Sequence, residues 1–333
     1  MDFELTDDQL ALRDGLRRFL DDRVTPEARR AIGERPGAVD RDLWRDLGGI
    51  GVFAVTVPEE HGGAGLGMAE ATIVFEELGR VAAPGPLVGT FLTAGLRSEL
   101  PDLAARAAAG DAVVGLTPAG DPAYVEHVAA LDGLLVVGEA AVTLAGPPRG
   151  SRPVERPLDP LTPVDLVDAL PSGRPIGGAP LAARLGTSGE LLAAALQVGL
   201  ADAAVSLATA HAATRRQFGR VIGGFQAVKH LLADARVGVE VARAAAQAAG
   251  VELDDASAGG GGAPPVRARR AVDAARIVAS RAADRATRTC VQVHGGTGFT
   301  WEHDAHLLLK RALVLDVGVG SVDQATESLA AAL

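Results

Sequence analysis

A helical apolar period begins near Ser188 and persists through most of the remaining chain, and it restricts the fold more than any other feature. Leu192, Leu196, Gly199, Ala203, Leu207 and Ala210 form one stripe, and a second helix is expected from about Phe225 to Val251. A third carries Val272, Ala275, Ala279, Ala282 and Ala286 on its apolar side, with Arg276, Arg281, Arg285 and Arg288 mostly elsewhere. The segment DDASAGGGGAPP reads as a flexible connector between the second and third, and a last helix is expected from His303 to about Asp316. Apolar residues make up 48% of the chain and aromatic ones only 3%, so alanine and leucine must fill most of the core. Both head the helix scale.

The first third is also helical. Thr6-x-x-Gln9 is a capping box, and Leu10, Leu12, Leu16, Phe19 and Leu20 follow at near-helical spacing. Asp40 can cap a short helix through Trp44 and Leu47; further helices are expected over Met68–Val81 and Phe91–Leu100. Between them and the bundle the pattern changes. AVVGLTP, YVEHVAAL, GLLVVG and AVTLAG are short β-branched runs separated by Gly, Pro and Asp, which predicts strands, whereas GPPRGSRPVERPLDPLTP reads as mostly irregular. The expected class is mainly α with a reduced β-domain: a helical domain over 1–110, a shortened middle β-domain over 111–185 and a helical domain over 186–333.

A net charge of −10 argues against a nucleic-acid binder, whose affinity would rest on neutralising phosphates. One cysteine, Cys290, excludes an internal disulfide and a cysteine-based zinc site. The acidic, amphipathic start lacks a signal peptide's features, and no uninterrupted apolar run reaches the roughly 18 residues of a membrane span. A soluble, cytoplasmic protein is expected.

Two motifs mislead. GVFAVTVPEEHGGAGLG imitates a dinucleotide-binding turn, but Met68 stands where the last glycine belongs and Glu59 and Glu60 would face a pyrophosphate. Glu302, His303, Asp304 and His306 suggest a metal site, yet there is no H-E-x-x-H and no clear third ligand. A surface turn and a polar helix start explain them better, and His127 and His211 read as structural.

Two other stretches point to chemistry. In ATRRQFGRVIGGFQAVKH, Arg215, Arg216 and Arg220 gather where one helix ends, and Phe218 offers a face for an adenine ring. Guanidinium forks suit phosphate oxygens. In CVQVHGGTGF, Gln292 supplies an amide and Gly295-Gly296 open backbone.

Along nearly its whole length the chain resembles the acyl-CoA dehydrogenase family. LTDDQLALRDGLRRFL, PEEHGGAGLG, RRQFGRVIGGFQAVKHLLADA and VQVHGGTGFTWEHDAHLLLKRA match in order. The resemblance implies an N-terminal helical domain, a middle β-domain and a C-terminal four-helix bundle, assembled as dimers of dimers. It implies FAD-dependent oxidation of an acyl-CoA thioester to the α,β-enoyl-CoA, with a carboxylate removing the α-proton. Arg215, Phe218 and Gln226 would then hold the pyrophosphate and adenine side of FAD, and Gln292, Gly295 and Gly296 its ADP portion, reaching across an interface to a flavin seated in the neighbouring subunit. Gly320 and Ser321 would also serve the cofactor.

The departures lie on the other side. The family's Thr-Glu-Pro-Gly-rich segment is reduced to Thr117 and Pro118, and no Trp-x-Thr appears. Where many members read Tyr-Glu-Gly-Thr-x-Gln, this chain reads Gly318-Val319-Gly320-Ser321-Val322-Asp323, so Val319 stands at the catalytic glutamate's position. Some relatives place that glutamate at the start of the first C-terminal-domain helix, which spacing puts at Gly189, beside Glu190. One residue along a helix turns a side chain by about 100°. An acid in a first helical turn is what the helix dipole favours, and Glu190 is read so in preference to a base. The resemblance is greatest to the base-lacking subunit of heteromeric, steroid side-chain type actinobacterial enzymes, partnered by a glutamate-bearing paralogue in a heterotetramer. A self-sufficient homomeric dehydrogenase with Glu190 or an unseen carboxylate as base stays open, as does a flavin-free acyl-CoA-binding or scaffold protein.

Overall fold

The structure is a computed structural model; it describes residues 4–35, 39–257 and 262–331. Six helices come first: α1 Asp7–Arg23, α2 Pro26–Gly33, α3 Arg41–Gly49, α4 Met68–Arg80, α5 Leu87–Ala94 and α6 Pro101–Ala108. Strands β1 Val114–Pro118, β2 Ala123–Glu126, β3 Gly133–Val137, β4 Ala141–Ala145, β5 Arg152–Pro153, β6 Val164–Val167 and β7 Gly173–Gly178 follow. The last part holds α7 Ala179–Thr214, the hairpin β8 Arg216–Gln217 and β9 Arg220–Val221, then α8 Gln226–Ser257, α9 Val266–His294, α10 Ala305–Val317 and α11 Val322–Ala331. Helical, small β, helical is thus the architecture, as the sequence predicts.

Local rules explain most starts. Thr6 and Gln9 form the expected reciprocal capping box, and Asp40 accepts from the backbone N–H groups of Asp42 and Leu43. The dinucleotide-like GVFAVTVP is no strand but a 3₁₀ turn, Val52–Ala54, whose side chains are buried. The helix expected over Phe91–Leu100 is instead the C-terminal part of α5, with α6 beginning afresh at Pro101. Pro101 provides a helical φ and lacks an N–H that would otherwise go unpaired.

One sheet has strand order β1-β3-β4-β7, with β1 and β3 parallel; a second has order β2-β6-β5. YVEHVAAL is a strand only as far as Glu126. His127 adopts a left-handed φ of 55°, which stops the ladder, and Val128–Ala130 form a 3₁₀ turn.

The period read from Ser188 starts earlier: α7 begins at Ala179 with Pro180 in its first turn. By length and composition α7 could cross a membrane, yet 78% of its most apolar stretch is buried in the protein. It packs on α4, α8 and α9. Where α4 crosses α7 the contact is backbone on backbone. A Cβ on Gly79 would lie 2.1 Å from the Leu196 carbonyl oxygen, and one on Gly199 would lie 1.9 Å from that of Glu76. α8 runs beyond the expected end to Ser257, and Asp254 accepts from the Met68 and Ala69 N–H groups at the start of α4. Residues 258–261 of the expected connector lie outside the described residues. Two cores result. One, under the N-terminal helices and the main sheet, holds Trp44, Phe53, Phe75 and Phe91; the other, inside the bundle, is almost all alanine, valine and leucine.

Candidate functional site

At one end of the bundle α7 and α9 terminate side by side. Arg215 caps α7, donating its backbone N–H to the His211 carbonyl, and the hairpin β8–β9 turns back over Phe218 and Gly219. Both turn residues have positive φ, 51° and 80°, the pattern of a type I′ turn. Phenylalanine is costly there, and its ring is 91% exposed. An exposed aromatic in a strained turn is a feature of ligand clamps. Phe225 lies edge-on to it at 6.2 Å, under the Arg220 guanidinium at 3.9 Å. Arg215 and Gln226, the first residue of α8, are exposed beside this hairpin.

The end of α9 passes into a 3₁₀ turn, Gly295–Phe299. Gly295 has φ 62°, and nothing lies within 4 Å of a Cβ built on Gly295 or Gly296, so the peptide plane is open to a ligand. Gln292, Gly295 and Gly296 share a groove of about 390 Å³ with Arg288, Val291, Phe299 and Leu309. The rings of His211 and His294 stack at 4.2 Å and those of His294 and His303 at 4.4 Å, tying the two helix ends together. Burial first, then neighbouring charge, holds the His211 and His294 rings below the ordinary histidine range. Cys290 is buried, and burial pushes its thiol up to about 12, which removes it as a nucleophile. Asp304, read from sequence beside His303 and His306, pairs instead with Arg29 and Arg30 of α2. The structure thus puts Arg215, Phe218 and Gln226 on one patch, and Gln292, Gly295 and Gly296 in an adjoining groove.

Val319, Gly320 and Ser321 lie elsewhere, after α10 where it meets the sheet. Val319 lines a cavity of about 50 Å³ with Gly85, Val88, Leu116, Leu196, Val314 and Leu315 on its apolar side. A Cβ on Gly189 would lie 2.8 Å from Val319 Cγ1, so the two positions the resemblance offers for the glutamate abut one another. Glu190 points away from them. It is not in a first helical turn but eleven residues after Ala179, because α7 starts earlier than its periodicity indicates. Its Oε2 lies 2.7 Å from Arg269 Nη2, and its side chain fills the space a Cβ on Gly320 would take, 2.4 Å from Glu190 Cγ. Burial raises its carboxyl against the opposing charge of Arg269.

Gly320 has φ 64°, and its carbonyl accepts from the buried Arg276 at 3.0 Å. Ser321 Oγ accepts from the Gln324 N–H at 3.1 Å and Gln324 Oε1 from the Ser321 N–H at 3.1 Å, which makes it the N-cap of α11. Neither α11 nor that cap is expected from the sequence reading. Thr117 is buried at the end of β1. Sequence reasoning passed over two polar residues that line this cavity, Arg311 and Glu126, and set Arg276 among arginines mostly off the apolar side of their helix, whereas the structure buries Arg276 completely. Alternation along β2 sets Glu126 on the same face as the exposed Tyr124, so the strand pattern does not mark it as turned to a cavity.

Comparison with known proteins yields two family matches: the acyl-CoA dehydrogenase N-terminal domain over residues 6–97 and the C-terminal domain over residues 178–333. The chain is 37% identical over 292 residues to acyl-CoA dehydrogenase IpdE2 of Mycobacterium tuberculosis, covering 86% of this chain and 85% of that protein. It is 34% identical over 319 residues to IpdE2 of Mycolicibacterium smegmatis, covering 92% and 93%. A chain of the ChsE4-ChsE5 complex from M. tuberculosis superimposes with a TM-score of 0.84 at 27% identity, covering 100% of this chain and 98% of that one.

Proposed function

The chain belongs to the acyl-CoA dehydrogenase family, and on that premise we propose that it is the non-catalytic subunit of a heteromeric acyl-CoA dehydrogenase of steroid degradation. The family's enzymes are FAD-dependent oxidoreductases, and FAD supplies the hydride acceptor when bound. The similarity to a chain of the ChsE4-ChsE5 complex favours a paralogue as the partner.

The residues fit one half of FAD and not the other. Open peptide at Gly295-Gly296, the cationic Arg215, Arg216 and Arg288, the Gln292 and Gln226 amides and the outward ring of Phe218 suit a diphosphate and an adenine. All face outward from the protomer, as groups lent to a neighbour should. The cavity beside Val319, at about 50 Å³, is far below the roughly 300–1,000 Å³ of ordinary cofactor pockets. Ser321, the remaining hydroxyl, is engaged in capping. No proton or hydride step is therefore assigned to this chain's own cavity.

One observation carries the reading. Val319 and Gly189 meet at the locus where a base would stand, and neither can take a proton. A general base contributes ~10²–10⁴-fold, so a partner must supply it. Glu190, paired with Arg269 on the far side of the Gly320 turn, supports this rather than the homomeric alternative.

Expression alone and with a glutamate-bearing paralogue tests the proposal. Alone, the chain is expected to be colourless and inactive; the co-purified pair is expected to show flavin absorbance and turnover. Turnover by the isolated chain, with one flavin per protomer, would refute the assignment.

A further inference from the structure

The small cavity beside Val319 has a second, polar end. Glu126 of β2 reaches it, with Oε1 3.7 Å from the position of a Cβ on Gly318, and its carboxylate has no hydrogen bond or ion pair among the described residues. Arg311 of α10 also lines the cavity. It is only 6% exposed, and its Nε is held by the fully buried Asp159, while Nη2 reaches no partner among the described residues. Thr162 also lines this end, its hydroxyl donating to Asp159 at 2.7 Å. Glu126 and Arg311 both line the cavity and do not reach each other within ion-pair distance. Beside Glu126, His127 is 1% exposed with neither ring nitrogen hydrogen-bonded among the described residues, and burial together with the Arg311 charge keeps it neutral, its pKa lowered to about 3.

Buried polar groups are nearly always paired, and an unpaired one is costly. Here a guanidinium N–H and a carboxylate oxygen face one space whose remaining walls are apolar. A group that both accepts and donates a hydrogen bond, and continues into hydrocarbon, satisfies the two at once. We propose that this cavity is a binding site for the hydroxyl-bearing end of an acyl chain, the hydroxyl oxygen accepting from Arg311 Nη2 and its proton donated to Glu126. A plain alkyl end leaves both groups unpaired. The site rests on the acyl-CoA reading of the family but not on which subunit supplies the base.

All residues of the site belong to this chain, so the full chain is the object of the test. Its affinities for pentanoyl-CoA and 4-hydroxypentanoyl-CoA are compared by equilibrium titration. The hydroxylated thioester is expected to bind about tenfold tighter. Glu126→Leu should abolish that preference, whereas Glu126→Gln, whose amide oxygen still accepts, should keep most of it; circular dichroism checks that both variants fold. Equal affinities in the wild type, or a preference that survives Glu126→Leu, overturns the proposal and leaves the cavity a place for water. Binding of neither thioester also overturns it, while the FAD-clamp reading, judged by complementation with a partner, is untouched.

Discussion

The two ends of the bundle handle polar groups in opposite ways. At the hairpin end, Arg215, Phe218, Gln226, Gln292 and the Gly295-Gly296 peptide lie exposed. At the cavity end, Arg311, Asp159, Arg276, Gln197 and Glu190 are buried and tied to one another or to backbone carbonyls. Side chains that await a ligand from another molecule can remain solvated without cost. Side chains that close a site inside one protomer must be satisfied there, because low local dielectric makes an unpaired group expensive. On the proposed reading the difference teaches which half of a shared site a chain retains: the outward half survives as surface chemistry, and the inward half, apart from the Glu126–Arg311 end of its cavity, has become structural.

The comparison breaks most visibly at Arg311. Arg311→Met leaves the fully buried Asp159 without its cation. Removing one partner of such a pair costs about 3–5 kcal/mol, and denaturant unfolding should register that loss while the hairpin end keeps its structure. A loss below 1 kcal/mol would mean that the cavity end is not held by this pair. Arg215→Ala probes the other end. In the partner complex it should weaken FAD by roughly 10- to 100-fold, the worth of a charge-assisted hydrogen bond of about 1.5–3 kcal/mol, with stability changed by less than about 0.5 kcal/mol. Equilibrium dialysis of flavin measures the first quantity; an unchanged affinity removes Arg215 from the clamp. The smallest effect separates the two roles of one hydroxyl. Ser321→Ala should cost about 1 kcal/mol as a lost N-cap and leave flavin affinity as it was. A flavin defect in that variant would return Ser321 to the cofactor.

Much of this could be read from the sequence, and for identifiable reasons. The bundle helices were legible because Leu192, Leu196, Ala275 and Ala279 recur at the helical period over long windows. The Thr6–Gln9 and Asp40 caps are short-range and need no tertiary knowledge. The residues of the proposed clamp could be singled out because backbone-opening glycines and arginines at a helix end are local signals. What escaped depends on distance. The start of α7 at Ala179 is hidden by glycines and a proline that look like a loop. Asp254 reads as linker because its partners, Met68 and Ala69, lie far away in sequence. Glu126 and Arg311 are separated by more than half the length of the chain, and nothing in either neighbourhood marks them as facing one cavity. Val319 was flagged by resemblance, but its contact with the Gly189 position required coordinates.

The crossing of α4 and α7 at Gly79 and Gly199 has a mechanical consequence. Peptide touches peptide there, so no side chain can rotate to let one helix slip along the other. The N-terminal helices and the bundle are therefore expected to move as one rigid block, and any opening that admits a ligand falls to the strands clasped between them.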